Sequence, residues 1–161
     1  MIRRTFVLSA ACVTLVPGLA RAADTVAGRF VAQKKTAKLV FVSAYQSDKD
    51  KLVIVATEKA HAASKTPARD AEFGEFGSAV TISLTRPDGA VAEVQLVHPD
   101  FPQNPITLNG VIKGIDVKLA GDRVEGRFTS NGAKSMFEGK PYEVTFDLDL
   151  QIAAQIRPKA S

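Results

Sequence analysis

Hydrophobic and polar residues alternate along most of the chain after residue 26. In YEVTFDLDLQI, Val144, Phe146, Leu148, Leu150 and Ile152 fall on one face. Thr145, Asp147, Asp149 and Gln151 fall on the other, the period-two signature of a half-buried strand. RVEGRF repeats it, with Val124 and Phe128 inward. GIDVKLAGDRVEGRF predicts a hairpin around Gly121-Asp122, with Ile115, Val117 and Leu119 alternating on the first arm. AVTISLTRPDGAVAEVQLV predicts a second. Pro87 presets its turn and Gly89 takes a positive φ, which places Val80, Ile82 and Leu84 with Val94 and Leu96.

KLVFVSAY and KLVIVAT are apolar on both faces, as expected of central strands covered on both sides or of a strand running into another layer. With VAGRFVA and ITLNGVI the count reaches about eight or nine strands separated by short turns. The expected fold is therefore all-β, an antiparallel β-sandwich or small closed barrel. At most one short helix is expected, before Pro67 in the segment 58–78, whose FGEFG end reads as a tail bearing Phe73 and Phe76. Residues 129–141 read as a second long loop.

The first residues look different. Arg3 and Arg4 precede the apolar run TFVLSAACVTLVPGL, and Ala20-Arg21-Ala22 offers small residues at the positions a signal peptidase reads. Residues 1–22 are expected to be a signal peptide cleaved between Ala22 and Ala23, leaving 23–161 as a single β-rich domain, periplasmic or secreted. The run is shorter than the roughly 20 residues that span a bilayer, so no stable membrane insertion is expected after cleavage. A lipoprotein reading on Cys12 places Leu8 one residue too far away. Losing Arg3, Arg4 and Arg21 takes the formal charge from +4 to +1 and removes most of the case for nucleic acid. The single cysteine, Cys12, leaves too, so the domain has to fold without disulfides.

Candidate chemistry is sparse. His61 and His98 are the two histidines, and neither lies at ligand spacing from the other. No cofactor or metal is expected. His61, in an Ala-rich polar stretch, reads as a solvated helix residue. No serine sits in a Gly-x-Ser-x-Gly elbow. Asp147 and Asp149 share a strand face about 7 Å apart, a spacing that suits solvated carboxylates better than a glycosidase pair. Asp48 and Asp50, crowded by Lys49 and Lys51, and Asp70 with Glu72, lack a calcium-loop pattern. Lys34, Lys35 and Lys38 form a basic cluster without the interleaved aromatics that single-stranded nucleic acid stacks on, as a hairpin turn would. Few aromatics and short strands argue against an outer-membrane barrel.

VHPDFPQNP, residues 97–105, carries the densest chemistry. Pro99 and Pro105 push His98 and Asn104 out of the helical region, which makes the stretch a stiff connection between two strands. Phe101 is its expected core anchor, with His98, Asp100 and Asn104 as polar rim. If the loops carry recognition, His98, Asp100, Phe101, Phe73 and Phe76 are the binding candidates.

GRFVAQKKTAKLVFVSAYQSDK with LVIVATEK, followed by RVEGRFTSNGAKSMFEGKPYEVTFDLDLQI, resembles a set of uncharacterised exported bacterial proteins. These share a Gly-start strand, a charged turn and a closing hairpin. The resemblance implies an exported β-rich domain without an assigned activity and transfers no functional residue. The expected function is non-catalytic binding or an accessory role toward a protein, a glycan or a small apolar ligand. Two alternatives stay open. One is a small apolar-ligand carrier with a barrel cavity. The other is a metal-independent hydrolase, which requires a serine or carboxylate within hydrogen-bond reach of His61 or His98.

Overall fold

The computed structural model describes residues 22–158. The Arg3-Arg4 region, the apolar run and Cys12 lie outside the described residues. The described chain is mostly β. β1 (Thr25–Ala32) and β2 (Lys35–Ala37) form a hairpin, as do β3 (Phe41–Asp48) and β4 (Lys51–Thr57). After the helix α1 (Pro67–Glu72) come β5 (Ala79–Thr85), β6 (Val91–Val97) and β7 (Ile106–Leu108). β8 (Lys113–Ala120), β9 (Arg123–Thr129), β10 (Lys134–Met136) and β11 (Val144–Pro158) complete the fold.

These strands make one curled, mixed sheet, a half-barrel with the path β2-β1-β11-β3-β4-β5-β6-β7 and with β8, β9 and β10 joined through β11. This corrects the expectation of an antiparallel sandwich or small closed barrel with about eight or nine strands: the described residues hold eleven, in one open sheet, and β11 runs parallel to β3. The cause is the length of β11, fifteen residues. It pairs with β1 up to Ala153, opposite Thr25 where β1 begins. Beyond that point its edge is open, and Ile156–Pro158 take Ala44–Gln46 of β3 instead. The uncounted strands are short pieces such as β10, inside what reads as a loop.

The period-two reading of the inner face holds. Val144, Phe146, Leu148, Leu150 and Ile152 are buried, at 2 % exposure or less. They meet Phe30, Phe128, Leu52, Ile54 and Ile82 in one core cluster that fills the inside of the curl. Fully burying each large side chain contributes about 1.5–3 kcal/mol. Gly28 fits a close strand crossing: its φ is +124°, and a Cβ there would stand 2.1 Å from the carbonyl oxygen of Asp149. On β8 a bulge between Ile115 and Lys118 breaks the expected alternation and leaves Ile115 exposed.

β4 is buried on both faces, as its apolar run requires. Leu52, Ile54 and Ala56 point into the main core, while Val53 and Val55 join Ala71, Ala79 and Val97 in a second cluster. The segment 58–78 covers this outer face. It leaves and returns at one rung, where the Glu58 N–H donates to the Ser78 carbonyl and the Lys59 N–H to the Phe76 carbonyl. Its helix begins at Pro67 rather than ending before it, because proline suits a first turn, where its missing N–H has no intrahelical acceptor to lose.

Candidate functional site

Because side chains on a strand alternate, Ser43, Tyr45 and Ser47 of β3 share the outer face of the curl. Ser43 stands opposite Val55 and Tyr45 opposite Val53, so Thr57, two residues beyond Val55, lies on that face as well. The segment 58–78 lays His61 over these groups. A recess of about 450 Å³ remains between β3, residues 61–72 and the end of β11, with Tyr45, Pro67 and Ala68 on its walls and Lys65, Arg69 and Arg157 among its charged groups. A smaller one of about 160 Å³, with Asp24, Phe41 and Val42, shares Ser43, His61, Ala62 and Arg157 with it.

His61 is 5 % exposed and not in a helix, against the expectation of a solvated helix residue. Burial is tolerated because both ring nitrogens have partners. Nε2 lies 2.8 Å from Ser43 Oγ and Nδ1 2.6 Å from Thr57 Oγ1. Thr57 Oγ1 is also 2.7 Å from the Lys59 carbonyl oxygen, which accepts only. With a neutral ring, one proton assignment makes all three bonds. Thr57 donates to Lys59, His61 Nδ1–H donates to Thr57, and Ser43 O–H donates to the bare Nε2. Phe76 packs on the ring, with centroids 5.7 Å apart. Burial, and secondarily the charge of Arg157, push the imidazole below its ordinary range, which keeps it neutral. Arg157 in turn pairs with Asp24 at 2.7 Å. Burial pushes the Tyr45 phenol up, opposed by a backbone hydrogen bond from Ala68.

The residues singled out in sequence are not gathered in one place. Phe76 reaches His61, while Phe73 is 72 % exposed beside Arg69. Phe101 is buried in the main core, where an anchor belongs. His98, expected at the rim, is only 5 % exposed, wedged between Phe30 and Phe101. Its Nδ1 accepts from the Asp100 N–H, and the Asn104 side chain bonds both its backbone N–H and its carbonyl. The stretch 97–105 thus ties the backbone and Nδ1 of His98 to its own residues. Asp100 Oδ2 is 3.7 Å from His98 Nδ1 and 3.0 Å from Lys35 Nζ. Ala22 and Ala23 are exposed, their carbonyls facing the Arg123 guanidinium. Asp147 and Asp149 are each matched to an arginine, Arg29 and Arg127, at 2.6 Å. No cluster of three or more metal-ligating side chains occurs among the described residues. No helix among them is long and apolar enough to cross a membrane.

Ser43, Thr57 and Arg157 escaped the sequence reading. The signal was faint: a lone serine inside an apolar strand and a threonine four residues before a histidine. No family model, no curated protein and no solved structure matches the chain.

Proposed function

We propose that this is an exported binding protein that takes a small ligand in the recess between β3, α1 and the end of β11. The observation that carries the reading is the recess itself. Its roughly 450 Å³ lie in the usual range of small-molecule sites, and its lining sets hydroxyl and charged groups beside Tyr45, Pro67 and Ala68. The interior of the curl is filled by Phe30, Phe128 and Phe146, so the carrier alternative finds its room on the outer face rather than inside a barrel. Lys65, Arg69 and Arg157 against Glu72 give the recess an excess of positive charge. Tyr45, Pro67 and Ala68 offer apolar contact. Together they favour a short amphiphile with a carboxylate or carbonyl end, and hexanoate is a suitable probe.

Titrating the ¹⁵N-labelled protein with hexanoate tests this. Saturable shifts should cluster at residues 43–47 and 61–69 and vanish in Ala68→Trp, which fills the recess. Shifts scattered elsewhere, or none at millimolar hexanoate, would overturn the proposal.

A further inference from the structure

The recess holds more than a binding wall. We infer that Ser43 is a nucleophile activated by His61, and that the protein transfers the acyl group of short-chain carboxylic esters to Ser43 and then to water. The inference rests on the recess being the ligand site. Its own support is the directed chain Ser43–His61–Thr57–Lys59 carbonyl, with contacts of 2.8, 2.6 and 2.7 Å. A neutral imidazole whose Nε2 accepts from a serine hydroxyl, while Nδ1–H is held by a third group, is the arrangement a serine nucleophile needs. Thr57 acts as a positioning residue: its acceptor lone pair fixes the ring and its tautomer. Ser43 is only half-buried and lines both recesses, so a substrate carbonyl meeting its Oγ has room on either side. Arg157, held by Asp24, lines both as well and adds positive charge to the site where an oxyanion would form.

In the first step Ser43 Oγ attacks the ester carbonyl carbon while its proton passes to His61 Nε2. The bond from that carbon to the alkoxy oxygen then breaks, and the leaving alcohol takes the proton from His61. In the second step a water gives its proton to Nε2 as its oxygen attacks the acyl carbon. The bond to Ser43 Oγ breaks, the acid leaves, and the serine regains the proton. Ester and water become acid and alcohol, and no other reactant enters.

The groups around His61 set its pH behaviour. From β11 it faces Arg157 with its partner Asp24, from the covering segment Lys65, Arg69 and Glu72, and from β3 Tyr45. Activity therefore follows the neutral form of His61, and its half-maximum lies below pH 6.5, the ordinary histidine value.

The test is labelling of the full chain with a fluorophosphonate, read by intact mass and peptide mapping, together with turnover of p-nitrophenyl hexanoate. A single adduct on Ser43 is expected. Ser43→Ala should abolish it, and His61→Gln should slow it by on the order of 100-fold or more, the usual loss of a general base. Thr57→Val should slow it while Thr57→Ser restores it, a rescue that a merely structural threonine would not give to a chemical rate. Should His61→Gln fail to fold, the Thr57 pair and the pH profile decide instead. No adduct, an adduct on Ser47 or Ser64, or equal labelling without His61 would overturn the inference. Hexanoate shifts without labelling would leave the binding reading standing and remove the nucleophile. Labelling without hexanoate shifts would do the reverse.

Discussion

The strands β3 to β6 have two faces that solve different problems. The inner face, Leu52, Ile54, Val80, Ile82 and Leu96 among others, is apolar and fully buried, and it meets the strands around β11. The outer face mixes Val53 and Val55 with Ser43, Thr57, Thr81 and Ser83, and an irregular segment covers part of it. The difference teaches where chemistry can sit. A face sealed by side chains of matching period leaves no room and no polar partners. A face covered by a segment without period leaves recesses, and its polar strand residues need partners from that cover. His61 supplies one, bonding two hydroxyls at once.

Removing an inner side chain should therefore cost most. Phe146→Ala should destabilise by about 3–5 kcal/mol in denaturant melts, with a cavity adding to the lost burial. On the outer face, Thr57→Val leaves His61 Nδ1–H and the Lys59 carbonyl without their partner. A loss of about 1–3 kcal/mol is expected, at nearly unchanged side-chain volume. If the two variants cost the same, the two faces do not differ as described.

The inner face was legible because alternation reports burial directly, and β11 and the β5–β6 hairpin followed from it. The parallel pairing of β3 with β11 was not, since periodicity gives a strand's faces but never its neighbours. The site was illegible for a related reason. Ser43 and Arg157 lie far from His61 in sequence, and only the sheet register with the fold-back of 58–78 brings them to it and to Thr57. Position along the chain also misjudged exposure: His98 sits in a loop full of polar residues, yet Asn104 bonds its backbone, the Asp100 N–H bonds its Nδ1, and the ring sinks between Phe30 and Phe101.

A smaller effect separates the faces by pH. Burial lowers both His61, on the outer face, and His98, in the main core. The unfolded chain then binds more protons than the folded one as pH falls below about 6.5. Stability should be flat above that value and decline below it, toward the depressed folded-state values. Urea midpoints between pH 7.5 and 5 check this. His61→Gln and His98→Gln should each flatten the decline, and an unchanged slope in either would show that its ring is not held neutral by the fold.

The smallest effect belongs to the rim of the cover. Phe73 is 72 % exposed, so Phe73→Ala should stay within about 0.5 kcal/mol by thermal or chemical melt. A larger loss would mean that the outer cover is packed as tightly as the core.

The outer face carries a directed hydrogen-bond chain ending on a bare ring nitrogen beside Ser43. Long-range ¹H–¹⁵N correlation of the His61 ring at pH 7 reads this without any ligand. A neutral imidazole protonated at Nδ1 is expected, with Nε2 unprotonated and accepting from Ser43. A ring protonated at Nε2, or a charged one, would contradict it.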